Sequence, residues 1–230
     1  MSASQESVGA IVAAAGRSER MDGRDKLFTL VGGKPLLVHT ISVFHRCRAV
    51  DRVVLVLSPE NIERGRELVA EAGFGKVAAI CQGGERRQDS VRNGLEALAS
   101  CQWVVVHDGA RPLVTAELIE RGLEAAKETG AAIAALPIRD TIKEVEPSGL
   151  IGRTISRARL WAAQTPQVFR YDILREAHQR VQGEATDDAA LVEKLGYQVK
   201  VFEGSPLNIK VTTAVDLALV EALLAQGKAG

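Results

Sequence analysis

The chain has 230 residues, 46% of them hydrophobic, enough to build a sizeable core in one large α/β domain. Lys+Arg and Asp+Glu both number 29, so the formal charge is zero and no global basic field exists to draw in nucleic acid or an anionic membrane; any anion site has to be local. Three cysteines, Cys47, Cys81 and Cys101, lack CxxC or zinc spacing, the start "MSASQESVG" lacks a signal-peptide pattern, and no apolar run approaches ~18 residues, so a soluble cytoplasmic protein with reduced thiols is expected.

In chain order, "VGAIVAA" (Val8 to Ala14) predicts a first strand and "KPLLVHTISVFHRC" a helix. "RVVLVLS" (Arg52 to Ser58) and "KVAAICQ" (Lys76 to Gln82) predict the next strands, with "PENIERGRELVAEAG" helical between them and "RQDSVRNGLEALAS" helical after. "QWVVVHD" (Gln102 to Asp108) is a fourth strand, "TAELIERGLEAAKETG" a helix ended by glycine, and "AAIAALP" (Ala131 to Pro137) a fifth strand. The strand runs are continuously apolar, which indicates a mostly parallel sheet covered on both faces, with its ligand crevice at the carboxyl ends of the strands. Residues 138–161 then alternate apolar and polar around "PSG" and predict a β-hairpin arm, which serves either for dimerisation or as a flap over its own domain. Helices over "YDILREAHQRV" and "TDDAALVEKLG", strands over "YQVKVFEG" and "LNIKVT", and a last helix over "AVDLALVEALLAQ" complete the chain. The expected architecture is α/β: a single doubly wound, mostly parallel sheet, residues 1–230 as one domain, with a protruding β-hairpin arm.

Three strand ends carry the candidate chemistry. After the first strand, Ala13, Ala14, Ala15 and Gly16 present almost no side chain, so backbone can approach a base or phosphate closely. Arg17, Arg20, Arg24 and Lys26 follow and would oppose a triphosphate; a solvated basic loop with no ligand is the alternative. There is no GxxxxGK[ST], because Lys34 precedes Pro35, and "GRSERM" lacks the further glycines of a dinucleotide fingerprint, so a nucleotidyltransferase loop fits better. The third strand runs into "QGGERRQDS", where Gly83 and Gly84 expose backbone and Glu85, Arg87 and Ser90 stand ready for the polar edge of a base. The fourth ends in "VHDGARP", where Asp108 suits a ribose hydroxyl, a second substrate or a hydrated Mg²⁺. His107, opposite Asp108 on the strand, reads as a packed structural residue, and Trp161 as arm and core packing.

The motifs "AAAGxxxRM", "GGxxRxxSV", "VHDGARP", "RDTIK", "LWAAQTPQVF", "TDDAALVEKLG" and "NIKVT" occur in the order and spacing of one family, over nearly the whole chain. The sequence resembles the 2-C-methyl-D-erythritol 4-phosphate cytidylyltransferases of the isoprenoid pathway. The resemblance implies a Rossmann-like nucleotidyltransferase fold and a homodimer joined by the arm. It implies transfer of a cytidylyl group from CTP to methylerythritol phosphate with release of pyrophosphate, and Mg²⁺ held mainly by the CTP triphosphate, with no metal ligands from the protein. It further implies that Ala14, Ala15 and Gly16 line the cytidine, that Gly84, Glu85 and Ser90 read the cytosine, and that Asp108 and Gly109 meet the ribose side. Arg20 and Lys26 resemble the pair that neutralises the transition state, and Lys210 the lysine that holds both the α-phosphate and the incoming substrate. Asp108, Arg111, Thr141, Thr165 and Thr186 resemble contacts to methylerythritol phosphate, and Arg157 an arginine contributed by the partner's arm. Ser18 stands where the family usually has glycine, Asp25 where it has proline, and Glu85 where Asp is commoner.

The chemistry asks for few special groups. A phosphate monoester is already anionic near neutral pH and attacks without a general base, so catalysis rests on positioning and preorganised positive charge. A cytidylyltransferase for another polyol phosphate, such as ribitol 5-phosphate, shares every CTP contact, and a non-catalytic nucleotide-binding protein on this fold is the rival of a different class.

Overall fold

The computed structural model describes residues 6–16, 26–99 and 101–227. Its frame is a seven-stranded sheet in the order β11-β7-β10-β6-β1-β4-β5. The first strand, β1 (Val8–Ala14), is followed by a small hairpin of β2 (Leu30–Val31) and β3 (Lys34–Pro35), helix α1 (Leu36–Arg46), β4 (Arg52–Leu57), α2 (Ile62–Glu71) and β5 (Val77–Gln82). Helix α3 (Arg87–Leu98) returns the chain to β6 (Trp103–Asp108), which pairs on the other side of β1. The order therefore reverses between β1 and β6, and a doubly wound sheet opens its crevice at that point.

Burial explains the apolar runs. Val53 to Leu57 of β4 are all fully buried, because alternate side chains enter two cores, one on each face. Ala10, Val12, Val53, Leu55 and Val105 face the layer of α1, α2 and α4 (Ala116–Thr129), while Ile11, Val54, Val56 and Val104 face α3. Helix α4 starts on Thr115, whose hydroxyl accepts the Leu118 N–H at 3.1 Å, and stops at Gly130, whose φ of +84° suits a residue without Cβ.

Strand β7 (Ala131–Pro137) has the bounds expected from its sequence. The arm follows as β8 (Ile142–Val145) paired antiparallel with β9 (Ile151–Ile155), a two-stranded sheet of its own. Val145, Leu150 and Ile151 on it are 56%, 69% and 62% exposed.

Two expectations are corrected beyond the arm. Ten residues, β10 (Trp161–Arg170), form a strand that the sequence pattern did not suggest, inserted antiparallel between β6 and β7. Pro166 cannot donate to a ladder, and the register slips between Ala163 and Gln167, so the apolar periodicity breaks where the strand bulges. Trp161 at its start is 47% exposed rather than packed in the core. The chain then runs through α5 (Tyr171–Arg180), α6 (Asp188–Lys194), β11 (Lys200–Glu203) and α7 (Ala214–Ala225). Residues 207–212, read as a strand, have no strand pairing; the segment leaves a turn at Leu207 and is held by isolated bonds, Val211 N–H to the Ala110 carbonyl at 2.8 Å among them.

Candidate active site

The loops after β1, β5 and β6 touch through their smallest residues. A Cβ on Gly83 would stand 2.2 Å from the Ala15 Cβ, and one on Gly109 would stand 2.9 Å from the Ala14 Cβ. Gly109 N–H donates to the Ala13 carbonyl at 2.8 Å, and Gly83 N–H to the Leu57 carbonyl at 2.8 Å. The run of alanines and glycines is thus a packing requirement as well as an exposed backbone. Above these contacts lies an open cavity of about 980 Å³, within the range of small-molecule sites.

Ala14, Ala15 and Gly16 form one wall of it, Gly84, Glu85 and Ser90 another, and Lys26, Asp108 and Lys210 complete it. Lys26 opens a single 3-10 turn whose Leu27 and Phe28 are buried, and the Arg64 guanidinium stacks over the Phe28 ring at 4.1 Å. That anchor sets where the lysine enters the cavity. Arg20, with Arg17, Ser18, Arg24 and Asp25, lies outside the described residues.

The Gly83–Gly84 loop is fixed from beneath. Ser90 accepts the Gly84 N–H at 3.1 Å and donates to the Arg86 carbonyl at 3.2 Å, so its hydroxyl shapes the loop. Asp89 clamps the Arg86 guanidinium through two contacts of 2.8 and 2.9 Å. Arg87 lines the cavity as well, and its guanidinium ion-pairs with the carboxylates of Asp108 and Asp188.

Asp108 is the electrostatic centre. Lys210 Nζ stands 2.9 Å from Oδ2, Arg111 Nε 3.4 Å from the same oxygen, and Arg87 Nε 3.5 Å from Oδ1. Burial by itself would raise the Asp108 pKa, but Lys210, Arg87 and Arg111 together outweigh it and hold the carboxyl far below the usual carboxylate range.

Under Asp108 runs a second set of bonds. Its N–H donates to Thr165 Oγ1 at 3.1 Å, and that hydroxyl lies 3.0 Å from His107 Nδ1. His107 Nε2 lies 3.2 Å from the Arg111 carbonyl, which can only accept, so the ring carries its proton on Nε2 and Thr165 donates to Nδ1. Complete burial pushes the His107 pKa down to about 4, so the ring is a neutral structural element near pH 7, as its strand position suggested. Arg111 Nη1 reaches the Asn208 carbonyl at 2.7 Å, and Asn208 Nδ2 the Thr165 carbonyl at 2.6 Å. These bonds seat the segment that carries Lys210.

The geometry therefore brings Ala14, Ala15, Gly16, Lys26, Gly84, Glu85, Ser90, Asp108 and Lys210 onto one cavity, with Gly109, Arg111 and Thr165 packed beneath it. Thr141 and Arg157 lie exposed at the root of the arm, where the Arg157 guanidinium donates to the Arg139 carbonyl, and Thr186 lies exposed just before α6; none of the three lines the cavity. Sequence reasoning missed Gln167, Asp188 and Asn208, all buried polar side chains near this floor. Asp188 adjoins a true helix cap, Asp187, which accepts the Ala190 N–H at 3.0 Å, and two aspartates before an apolar run look alike in sequence.

Residues 8–226 match the family model of IspD, 2-C-methyl-D-erythritol 4-phosphate cytidylyltransferase. The chain belongs to this family. A 2-C-methyl-D-erythritol 4-phosphate cytidylyltransferase of Dehalococcoides mccartyi is 56% identical over 223 residues, covering 97% of this chain and 98% of that one. One from Geobacillus kaustophilus is 48% identical over 221 residues, 94% and 96% of the two chains. Among solved structures, the Thermus thermophilus 2-C-methyl-D-erythritol 4-phosphate cytidylyltransferase superposes with a TM-score of 0.77 at 40% identity, covering 94% of this chain and 98% of that one. The 4-diphosphocytidyl-2C-methyl-D-erythritol synthase of Anaerococcus prevotii gives a TM-score of 0.84 at 27% identity, covering 96% and 99%. Membership makes the chain a nucleotidyltransferase that carries out CTP-dependent cytidylyl transfer in the methylerythritol phosphate pathway.

Proposed function

We propose that the cavity between β1, β5 and β6 is where CTP and 2-C-methyl-D-erythritol 4-phosphate react, with Lys26 and Lys210 as the cationic pair at the phosphates. The observation that carries this is the convergence of both lysines, Asp108 and the bare Ala14–Gly16 and Gly83–Gly84 backbone on one cavity. Cytidine lies along Ala14, Ala15 and Gly16, its base against Gly84, Glu85 and the loop held by Ser90, and its ribose towards Asp108 and Gly109. The acceptor's phosphate oxygen attacks the α-phosphorus; a P–O bond forms there as the bond to the β-phosphate oxygen breaks, and pyrophosphate leaves with the electron pair. No proton need be removed from a dianionic monoester, and His107, with both ring nitrogens engaged, has no part in the step. The lysines lower the repulsion between nucleophile and triphosphate and stabilise charge on the leaving group. Arg20, between β1 and Lys26 in the sequence, is the third cation of this proposal.

Among the described residues no group of three or more His, Cys, Asp or Glu could hold a metal, and both Asp108 oxygens face cations. The donor set fits a Mg²⁺ carried by the triphosphate, with Asp108 as a carboxylate that would receive its water shell. Bound there, Mg²⁺ neutralises phosphate oxygens and orients the leaving group.

The arm is proposed to join two copies, carrying Arg157 and Thr141 towards the partner's acceptor site, with Arg111, Thr165 and Thr186 completing it. The exposed Val145, Leu150 and Ile151 support this, as does the marginal stability of a lone hairpin. Cytoplasmic location is part of the same reading, supported by three free cysteines. Among the described residues no helix is long and apolar enough to cross a membrane.

Pyrophosphate release measured with CTP, UTP, ATP and GTP, against methylerythritol phosphate and ribitol 5-phosphate, tests the assignment. Release with CTP and methylerythritol phosphate is the expected result. Preference for ribitol 5-phosphate, or nucleotide binding without release, would overturn it.

A further inference from the structure

From Arg87, on the cavity lining, a group of ionisable side chains that the reaction as described does not use runs into the protein interior. Arg87, at the start of α3, sends Nη1 to Asp188 Oδ2 at 2.6 Å while its Nε faces Asp108 Oδ1 at 3.5 Å. The other oxygen of Asp188 accepts from His178 Nε2 at 3.0 Å. Asp188 is wholly buried and the His178 side chain is 4% exposed. Burial by itself would raise the Asp188 pKa, but the Arg87 charge and the His178 bond overcome it and lower it. Arg87 Nη2 is buried with no hydrogen-bond partner among the described residues. A buried ion pair is often no more stabilising than apolar packing of the same volume, so stability gives little reason for this arrangement.

The reason lies in what Asp108 must do when Lys210 is needed elsewhere. Lys210 and Arg111 share Oδ2, and among the described residues Arg87 is the ion-pair partner of Oδ1. If Lys210 turns to a phosphate, Asp108 keeps its orientation only if the group on Oδ1 is itself immobile. Arg87 without Asp188 would be a long, fully charged side chain free to close on Asp108. Asp188 takes up the far edge of the guanidinium and leaves Nε for Asp108, and His178 stops the Asp188 carboxylate from rotating. Three elements, α3, α5 and α6, are thereby locked to the end of β6.

We propose that Arg87, Asp188 and His178 form a positioning relay that fixes Asp108 from behind, so that Lys210 can exchange Asp108 for a substrate phosphate without Asp108 turning. The relay rests on the site assignment above. Its members act through Asp108, as outer partners orient a metal ligand, and such partners typically contribute 10- to 100-fold.

The test is a double-mutant cycle on the full chain, with kcat/KM for CTP from pyrophosphate release and folded fraction from thermal melting. Asp188→Asn is expected to lower kcat/KM by ~10- to 100-fold in the parent background but by less than about 3-fold once Asp108→Asn is present. Losses that multiply in the double variant would overturn the relay, because a merely structural role adds to that of Asp108. Should Asp188→Asn fail to fold, the comparison passes to His178. His178→Gln retains an N–H donor to Asp188 and is expected within about 3-fold of the parent, while His178→Leu falls by ~10-fold at equal folded fraction. Equal losses in the two, or no loss in His178→Leu, contradict the proposal. An inactive parent removes the site assignment and the relay with it, whereas an active parent with multiplying losses removes the relay alone.

Discussion

At the carboxyl edge of the sheet, charged side chains face one another around the buried Asp108 and Arg111; on the arm, apolar side chains stand in solvent. Arg87, Arg111 and Lys210 all pair with Asp108 within one chain, and hydrogen bonds with Thr165 and Asn208 set the backbone beneath them. Val145, Leu150 and Ile151 have no comparable closure. The charges around Asp108 are thus placed within a single chain, which suits a reaction that depends on placed charge. The arm has the composition of a surface to be covered, and a hairpin of this size gains little by itself.

The contrast should first appear in stability. Phe169, fully buried on β10, is expected to cost about 3–5 kcal/mol on replacement by alanine, measured by urea unfolding. If Phe169→Ala were nearly neutral, the placement of β10 in the core would be wrong. Next comes catalysis: Lys210→Ala should lower kcat by ~10² to 10³ at saturating CTP and Mg²⁺ with folding intact. Arg157→Ala, on the arm, sharpens the comparison, since an equal mixture of the Lys210 and Arg157 variants should regain pyrophosphate release through mixed dimers. No recovery on mixing would count against the arm reaching a partner's site.

A smaller effect concerns pH. The unfolded chain protonates His107 near pH 6.5, whereas the folded chain resists until about pH 4, so the unfolded state binds more protons between those values. The stability contributed by the neutral ring is full above that range and declines as pH falls through it. His107→Asn should therefore remove about 2 kcal/mol of the stability lost between pH 7 and pH 5, read from urea midpoints at the two values. An unchanged pH slope would show that the ring titrates normally. Smallest of all, Leu150→Ala should shift unfolding by less than about 0.5 kcal/mol per chain, while weakening self-association in sedimentation. Unaltered sedimentation would remove this residue from the proposed interface.

Much of this was legible from the residues because the signals were local. β1 and β7 have the bounds their apolar runs predicted, and the motifs after β1, β5 and β6 do line one cavity. The hairpin around "PSG" was readable from alternation and turn chemistry. β10 was not, since Pro166 and a bulge interrupt the pattern, and its partners β6 and β7 lie far back in the chain. "LNIKVT" showed strand alternation, yet Val211 and Asn208 are buried by the β6–α4 loop and Thr165 rather than by a ladder. Arg87 looked like a reader of the base edge, and Asp188 drew no reading of its own.

Periodicity, turn residues and motif order by themselves determined the α/β class, the strand edge that carries the cavity and the reaction family, because each motif is encoded over a few neighbouring residues. Only the tertiary structure decided that Thr165, Asn208 and Asp188 gather around Asp108, and that Arg87 pairs with Asp108 and Asp188. Those choices depend on burial and on ion pairs between residues up to about a hundred positions apart, such as Arg87 and Asp188, whose separation along the chain is 101.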